Sequence, residues 1–147
     1  AKKLGRSAMA LVASPAYLAA RGVPEHPRDL ARHACLQFSF RRSLDSWPFR
    51  IDGALVQRPV EAAFLGNSGE VVRLMAVAGG GIARLGQFHV AADLAAGRLV
   101  EVLGDFNPGD HEEIHALYVG HQRMASRIRA FLDFLEEDLE LPQRISR

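Results

Sequence analysis

The 147-residue sequence contains a single cysteine, Cys35, and this scarcity limits its chemistry. One thiol cannot form an internal disulfide, and its being alone excludes every metal motif that needs two cysteines. It also fits a reducing compartment such as the cytoplasm. Because Cys35 lies in an alternating, strand-like segment, we expect a small buried apolar side chain rather than a nucleophile.

The sequence also lacks an excess of charge of either sign. It has 18 Lys and Arg against 17 Asp and Glu, a formal net charge of +1. This balance removes the general electrostatic argument for binding nucleic acid or a membrane surface. Charges interrupt every apolar run well before the roughly 18 residues that a membrane span needs. The apolar fraction of 48% is nevertheless typical of a packed domain.

The start of the chain lacks a convincing secretory signal. Residues 8–13 form an apolar core shorter than the roughly 7–15 residues of a signal peptide, and structured sequence follows at once. The first residue is alanine rather than methionine. We therefore expect the sequence to begin inside a longer chain.

Short apolar runs alternate with helix-like segments along the chain. The predicted strands cover residues 8–13, 35–40, 47–51, 56–64, 82–85, 99–103 and 114–119. The predicted helices begin near Pro15, Pro27, Asn67, Gln87 and His121, and the last ends near Leu139. Asp52-Gly53 indicates a tight hairpin turn. Strand–helix alternation with a hairpin in the middle predicts a mixed α/β fold.

Two predicted helices begin at capping residues. Ser14 stands before Pro15, which occupies the position that proline favours at a helix start. Asn67 and Glu70 fit a capping box, in which Asn67 accepts the amide three residues on and Glu70 reaches back. Free amides at Asn67-Ser68-Gly69 would suit a carboxylate or another small anion, and a plain helix cap explains the same residues.

His111-Glu-Glu-Ile-His115 matches the zinc-peptidase signature, and Glu136 or Glu137 could follow as a third ligand. Two histidines share one zinc ion only when a helix brings them onto one face. This motif instead runs into the strand-like segment IHALYV, where four residues span about 13 Å at roughly 3.3 Å each. We interpret the motif as the entrance of a strand and keep a zinc peptidase as a remote alternative.

Other sequence signals for catalysis are weak. The run Gly79–Gly81 ends a helix and precedes a strand, the reverse of a phosphate loop, so it predicts packing or backbone clearance. No nucleophile motif surrounds Ser14 or Ser68. Trp47 and Phe49 alternate as core residues do. We therefore expect no enzyme, no metal and no cofactor.

Six segments in this order resemble one known family. They are VASPAYLAARG, DLARHACLQF, SWPF, GNSGEVVRLMAVAGGGIARL, LAAGRLVEVL and ALYVGHQRMASRIRAFLDFLEEDL. Together they resemble the C-terminal effector-binding domain of LysR-type transcriptional regulators, from about Leu4 to Leu139. The sequence departs from the family at Gly86 and near Val119, where proline is common.

The resemblance implies an α/β fold like a type 2 periplasmic binding protein, with two subdomains joined by crossover strands. It implies that residues 1–20 are the remnant of the first half of subdomain I and residues 21–103 are subdomain II. Residues 104–140 would return to subdomain I, which is incomplete, and residues 141–147 would form a C-terminal tail.

The resemblance also implies a function, namely sensing a small anionic or aromatic metabolite in the cleft between subdomains. The partners it implies are that effector, a second or further copies in a homodimer or homotetramer, and DNA only through a preceding helix-turn-helix; no membrane is involved. The effector contacts it implies are Ser14, Phe38, Ser39, Phe64, Asn67 and Ser68. A stand-alone solute-binding protein of similar fold is the alternative.

Overall fold

The computed structural model describes residues 1–40, 45–118 and 126–138. In chain order the elements are β1 (Lys2–Ala13), α1 (Pro15–Arg21), β2 (Cys35–Phe38), β3 (Ser46–Ile51), β4 (Ala54–Pro59), β5 (Ala62–Gly66), α2 (Gly69–Val77), β6 (Ile82–Gly86), α3 (Gln87–Ala95), β7 (Val100–Glu101), β8 (His111–Ala116) and α4 (Ser126–Asp138). Two 3-10 helices cover Pro27–Arg32 and Gly104–Phe106. The predicted mixed α/β fold is confirmed.

The main sheet has β1 as its longest strand. Its order is β5-β2-β6-β1-β7, and β8 also pairs with β1. β2 runs parallel to β5 and β6, whereas β1 runs antiparallel to β6, β7 and β8. The two halves of β1 have different partners: Lys2–Ala8 pairs with β8, and Met9–Ala13 pairs with β6 and β7.

Hydrophobic residues fill both faces of this sheet. On β1, Leu11 and Ala13 belong to a cluster that contains α1 and the β3–β4 hairpin, while Ala10 and Val12 belong to a cluster that contains α2 and α3. A strand covered on both faces is apolar at every position, because alternate side chains enter opposite cores. This explains the unbroken apolar run at residues 8–13.

The hairpin turn forms where the sequence predicts it. Asp52 and Gly53 have φ angles of 51° and 79°, as a two-residue turn with two left-handed positions requires. The predicted strand 56–64, however, is wrong. It divides into β4 and β5, which lie in different sheets, because Pro59 cannot donate to a ladder and the chain leaves the hairpin there. The alternating pattern continues across the break and conceals it.

Several predicted boundaries move. β1 begins at Lys2 rather than residue 8, because its polar first half pairs with β8. β2 ends at Phe38, and β7 spans two residues of the predicted 99–103. The second helix is a 3-10 helix. The predictions for Val119, His121, Met124, Leu139 and the tail 141–147 concern residues outside the described ranges.

The helix α4 lies within the predicted segment, but its apolar stripe is mostly uncovered. Of its described residues only Leu132 is buried. Ile128 and Phe131, predicted on the same stripe, are 38% and 58% exposed. Lys2 of β1 holds the helix through Asp133 and Glu136, each at 2.8 Å. Within the described residues, no helix is long and apolar enough to cross a membrane.

The glycine run and the cysteine have the structural roles that were expected. A Cβ at Gly81 would overlap the carbonyl oxygen of Ala34, so the run provides backbone clearance. Cys35 is fully buried, and burial raises the pKa of its thiol to about 12. A thiol in that state is protonated and unreactive at neutral pH.

Candidate functional site

Three parallel strands end at one edge of the main sheet. The carboxyl ends of β2, β5 and β6 bring Phe38, Gly66 and Gly86 to this edge, where α2 and α3 begin. Met9 pairs with Gly86. It marks the point where β1 stops pairing with β8 and begins to pair with β6. Ligands of open α/β sheets bind outside the carboxyl ends of the strands. This edge is therefore the candidate site.

A cleft of about 280 Å³ opens at this edge. Its walls come from the end of β2, the starts of α2 and α3, the hairpin, and the segment that leads into β8. The lining residues are Met9, Gln37, Phe38, Phe40, Trp47, Gly69, Arg84, Leu85, Gly86, His89, Asp110, His111 and Glu112.

One wall of the cleft is aromatic. The rings of Phe38 and Phe40 lie 5.2 Å apart between centroids, and the buried indole of Trp47 also lines the cleft. The indole N–H donates to Gln37 Oε1 at 3.2 Å, and Gln37 Nε2 donates to the Val60 carbonyl at 3.3 Å. These bonds occupy the indole N–H, the amide oxygen and one of the two amide N–H groups.

The helix start at α2 differs from the predicted capping box. Ser68, not Asn67, caps the helix, because its Oγ accepts the N–H of Val71 at 3.2 Å. Glu70 lies one position too early to reach back, and its carboxylate instead accepts from Arg73 at 2.7 and 2.9 Å. Asn67 is exposed in the turn before the cap.

The imidazole of His89 covers the start of α2. A Cβ at Gly69 would overlap this ring, so the glycine makes the close approach possible. Burial lowers the pKa of His89 against the opposing charges of Glu112 and Glu70. The ring is therefore neutral at neutral pH, because its usual pKa of about 6.5 is already below 7.

Another side of the cleft, formed by β6 and the segment entering β8, is charged. Arg84 of β6 pairs with Asp110 Oδ2, and its side chain is only 9% exposed. Asp110 Oδ1 is buried and has no hydrogen-bond partner among the described residues. Glu112 Oε2 lies 3.0 Å from where a Cβ on Gly86 would be, so the missing side chain leaves room for this carboxylate.

Hydrogen bonds hold the β1/β8 pair against the sheet edge. The N–H of Phe88, in the first turn of α3, donates to the buried Ser7 Oγ at 3.1 Å. Asn107 Nδ2 donates to the Met9 carbonyl at 2.8 Å, and the Met9 N–H donates to the Asp110 carbonyl at 3.2 Å. The cleft thus lies where this pair joins the rest of the sheet.

The residues predicted as effector contacts reach this edge unequally. Phe38 lines the cleft. Ser39 lies beside it, with its N–H donating to the Gly66 carbonyl at 2.9 Å, and Ser68 adjoins the lining residue Gly69. These three residues lie at or beside the cleft.

The other three predicted contacts do not line the cleft. Phe64 packs into the core with α2, and Asn67 is exposed. Ser14 caps α1 by accepting the N–H of Tyr17 at 3.1 Å. It lies five residues beyond Met9, which corresponds to about 16 Å along an extended strand at roughly 3.3 Å per residue. Ser14 thus follows the carboxyl end of β1 and lies away from the cleft.

Sequence reasoning missed the polar residues of the cleft. His89, Asp110 and Glu112 come from α3 and from the segment entering β8. In the sequence, Glu112 was singled out only as part of the zinc motif, and Asp110 stands just before that motif. Gly86 was a usable signal for this part of the cleft, because the sequence has glycine where the family commonly has proline. A side chain at this position would overlap the space that Glu112 and Phe88 occupy.

The zinc motif lies on a strand, as expected. His111 and His115 are both on β8, whose side chains alternate between the more and the less exposed side. His115 contacts Glu113 at 3.1 Å. The described residues contain no group of three His, Cys, Asp or Glu side chains that could hold a metal ion.

Comparison with known sequences identifies one protein family over nearly the whole chain. The family model of the LysR substrate binding domain matches residues 1–140. The transcriptional regulator CrgA of Neisseria meningitidis serogroup C is 35% identical over 139 residues, which cover 95% of this chain and 46% of that protein. DmlR of Escherichia coli K12 is 30% identical over 139 residues, 93% of this chain and 44% of that protein. These relatives are transcriptional regulators and not enzymes, as expected.

Solved structures agree. The regulatory domain of CrgA from Neisseria meningitidis superposes with a TM-score of 0.86 at 33% identity, covering 95% of this chain and 68% of that chain. Full-length AphB from Vibrio cholerae gives 0.75 at 28% identity, covering 93% and 46%. The chain spans about half the length of the curated relatives it matches.

Proposed function

Because the chain belongs to the LysR substrate-binding domain family, we propose that its cleft binds a small-molecule effector and thereby controls a LysR-type transcription regulator. The observation that carries this proposal is the convergence of Phe38, Gly69 and Gly86 with the β1/β8 pair at one edge. A lining of aromatic and polar side chains suits a small metabolite, since such sites combine apolar lining with a few placed polar groups.

The division into subdomains is part of the same proposal. We infer that β1 and β8 are the two crossover strands, that residues 21–103 form subdomain II, and that residues 104–140 return to subdomain I. Tyr17 and Leu18 share a core with Trp47, which supports moving the start of subdomain II from residue 21 back to the start of α1.

The control would work through the β1/β8 pair. An effector in the cleft touches both the sheet edge and the segment 110–112 that enters β8. It can shift the orientation of this pair only by binding one arrangement more tightly than another. The shift would alter a homodimer or homotetramer and, through it, the DNA contacts of a helix-turn-helix elsewhere in the regulator. We place this regulator in the cytoplasm.

The first experiment tests whether the cleft binds small molecules. The wild-type chain is titrated with a panel of small aromatic acids, amines and alcohols while amide NMR shifts are followed. We expect binders to shift the amides of Phe38, Gly69 and Glu112. Phe38→Ala should weaken binding about tenfold, because an aromatic contact contributes roughly 1 kcal/mol or more. The control Phe134→Ala removes an exposed ring from α4 and should leave affinity unchanged.

A second arm tests regulation. In a LysR-type regulator that carries this chain, Phe38→Ala should remove the effector's influence on operator binding and leave effector-free operator binding unchanged. Fluorescence anisotropy of labelled operator measures both. If no panel compound shifts the cleft amides, or if Phe38→Ala keeps the full response, the proposed function is wrong.

A further inference from the structure

The cleft contains an imidazole that forms no hydrogen bond with the rest of the described chain. His89 lies in the first turn of α3 and lines the cleft, and neither of its ring nitrogens has a hydrogen-bond partner among the described residues. The ring is partly buried and packs against Phe88 with 3.9 Å between the ring centroids. Because histidine titrates close to neutral pH, this side chain can change its charge and its contacts without breaking a hydrogen bond of the fold.

The ring of His89 presents its Nε2 edge to the start of α2. Of the ring atoms, Nε2 and Cε1 come closest to where a Cβ on Gly69 would be. The start of a helix presents N–H donors and the positive end of the helix dipole. A neutral imidazole can turn the lone pair of Nε2 toward such donors, whereas an imidazolium carries an N–H on both nitrogens and finds no acceptor there. The position over Gly69 therefore suits the neutral ring and not the charged one.

The carboxylate of Glu112 offers an acceptor to the charged ring. Glu112 enters the cleft from β8, and its Oε2 lies 3.0 Å from where a Cβ on Gly86, the residue before α3, would be. The charges of Glu112 and Glu70 favour the protonated form of His89, and the charge of Arg73 opposes it. Glu70 is already held by Arg73 through two hydrogen bonds. Glu112 is therefore the acceptor to which an imidazolium at His89 would turn.

Other charged groups around this ring are paired with one another. Within the described part of the chain these pairs are Arg84 with Asp110, and Asp93 with Arg73 and Arg98. His111, a second imidazole of the cleft, stands beside Glu112 on β8. Since successive side chains of a strand point to opposite sides, His111 does not lie between Glu112 and His89 along that strand. A positive charge that appears on His89 is therefore answered by Glu112.

We propose that His89 is a proton-dependent switch between the start of α2 and the strand β8. In the neutral state its ring covers Gly69. When the ring takes up a proton, it leaves the helix start and pairs with Glu112, which ties α3 to β8 and uncovers the first amides of α2. This inference goes beyond the proposed function because it needs no effector. Acidification alone changes the contacts at the cleft.

A pH titration of the isotopically labelled chain without any ligand tests the switch by NMR. The ring nitrogen shifts of His89 should report protonation below the usual value of about 6.5, because burial lowers its pKa. The amide shifts of Gly69 and Glu112 should follow with the same midpoint. The nuclear Overhauser effect between the His89 ring and the Gly69 Hα should be present above that midpoint and be lost below it.

Two pairs of variants locate the effect. Glu112→Gln should lower the midpoint of His89, because the charge that favours the imidazolium is gone. Its matched control is Glu113→Gln, which removes the same charge from the other side of β8 and should leave the midpoint unchanged. His89→Asn should abolish the pH-dependent shift of the Gly69 amide in this range, whereas His115→Asn should preserve it. The wild-type titration decides the question even if a variant folds poorly.

Three results would overturn the switch. A ring contact with Gly69 that persists below the midpoint would show that the charged ring stays in place. A midpoint of His89 at or above about 6.5 would show that the position over α2 does not disfavour the charge. Equal changes of the midpoint in Glu112→Gln and Glu113→Gln would show general electrostatics instead of a pair. The proposed function is tested separately by the ligand panel, so either proposal can fail while the other holds.

Discussion

Asp93 of α3 joins three segments through two arginines. Its side chain is 2% exposed, and its oxygens accept from Arg73 of α2 at 2.7 Å and from Arg98 at 2.6 Å. Removing Asp93 would take the buried acceptor from both arginines, although Arg73 would keep Glu70 as a partner. The link therefore matters for the packing of α2 on α3, the two helices that border the cleft.

The titration of Asp93 makes this link dependent on pH. Burial alone would raise the pKa of Asp93, but the hydrogen bonds from Arg98 and Arg73 outweigh it and hold the pKa below its usual value. A carboxyl whose pKa is lower in the folded state stabilises the fold at pH values above its unfolded pKa. That stabilisation is lost as the pH falls through the folded pKa.

Asp93→Asn should lower the free energy of unfolding by about 2–3 kcal/mol at pH 7, because one acceptor oxygen becomes an NH2 group that cannot accept from an arginine, and the other loses its negative charge in a buried site. Urea unfolding from pH 7 to pH 3 should show the difference from wild type shrinking below about pH 4. The control Glu70→Gln acts on the same Arg73 through an exposed carboxylate and should change little. A difference that is independent of pH would show that packing, not charge, explains the loss.

Sequence reasoning could not find this network or the polar wall of the cleft. Phe38 was predicted because the family resemblance places a contact at the end of its strand. Asp93, Asp110 and His89 lie in segments whose local pattern indicates only a helix or a turn. Their partners Arg73, Arg84 and Glu112 are distant in sequence, and only strand register and helix packing bring them together.

At the scale of elements, the N-cap of α2 lies one residue later than the sequence predicts. Ser68 has extended backbone angles, φ −156° and ψ 159°, and the helix begins at Gly69. Its hydroxyl therefore lies three residues before Val71, whose N–H has no partner within the helix, and accepts that N–H. Asn67 precedes the cap and is exposed. Both residues are good capping types, so composition alone cannot choose between them.

Ser68→Ala should destabilise the chain by about 1 kcal/mol, the usual cost of losing a capping side chain. Asn67→Ala, one residue earlier, should have a much smaller effect because Asn67 does not cap the helix. Thermal unfolding of the two variants measures the difference. A larger loss in Asn67→Ala would restore the capping box that the sequence predicted.

The type of an element was predictable where the segment carries its own sequence pattern. The bounds of a strand were not predictable where they depend on which other strand it pairs with. The hairpin turn at Asp52-Gly53 needs only local backbone preference, and it formed as expected. The division of residues 56–64 into β4 and β5 depends on which sheet each half joins. The polar first half of β1 is a strand only because β8 lies beside it. Periodicity carries no information about such partners.

At the scale of the whole molecule, β1 connects two regions of different packing. Its residues Ala10–Ala13 are buried and pair with β6 and β7. Along its first half the only described partner strand is β8, on which no residue is buried. Regions with few buried apolar contacts open more readily than the core. The junction near Met9, which borders the cleft, therefore separates a stable unit from a weaker one.

Ile114→Ala, on the half-buried side of β8, should accelerate amide hydrogen exchange in residues 2–6 and leave residues 10–13 unchanged. Loss of a part-buried side chain should lower the local opening free energy by about 1 kcal/mol, because little core surrounds it. The control Val72→Ala, fully buried under the sheet, should instead lower the protection of residues 10–13 by roughly 2 kcal/mol. If Ile114→Ala lowers protection equally in both halves of β1, the two regions open as one cooperative unit. The β1/β8 pair could then not reorient independently of the cleft edge, and effector control would require motion of the whole molecule.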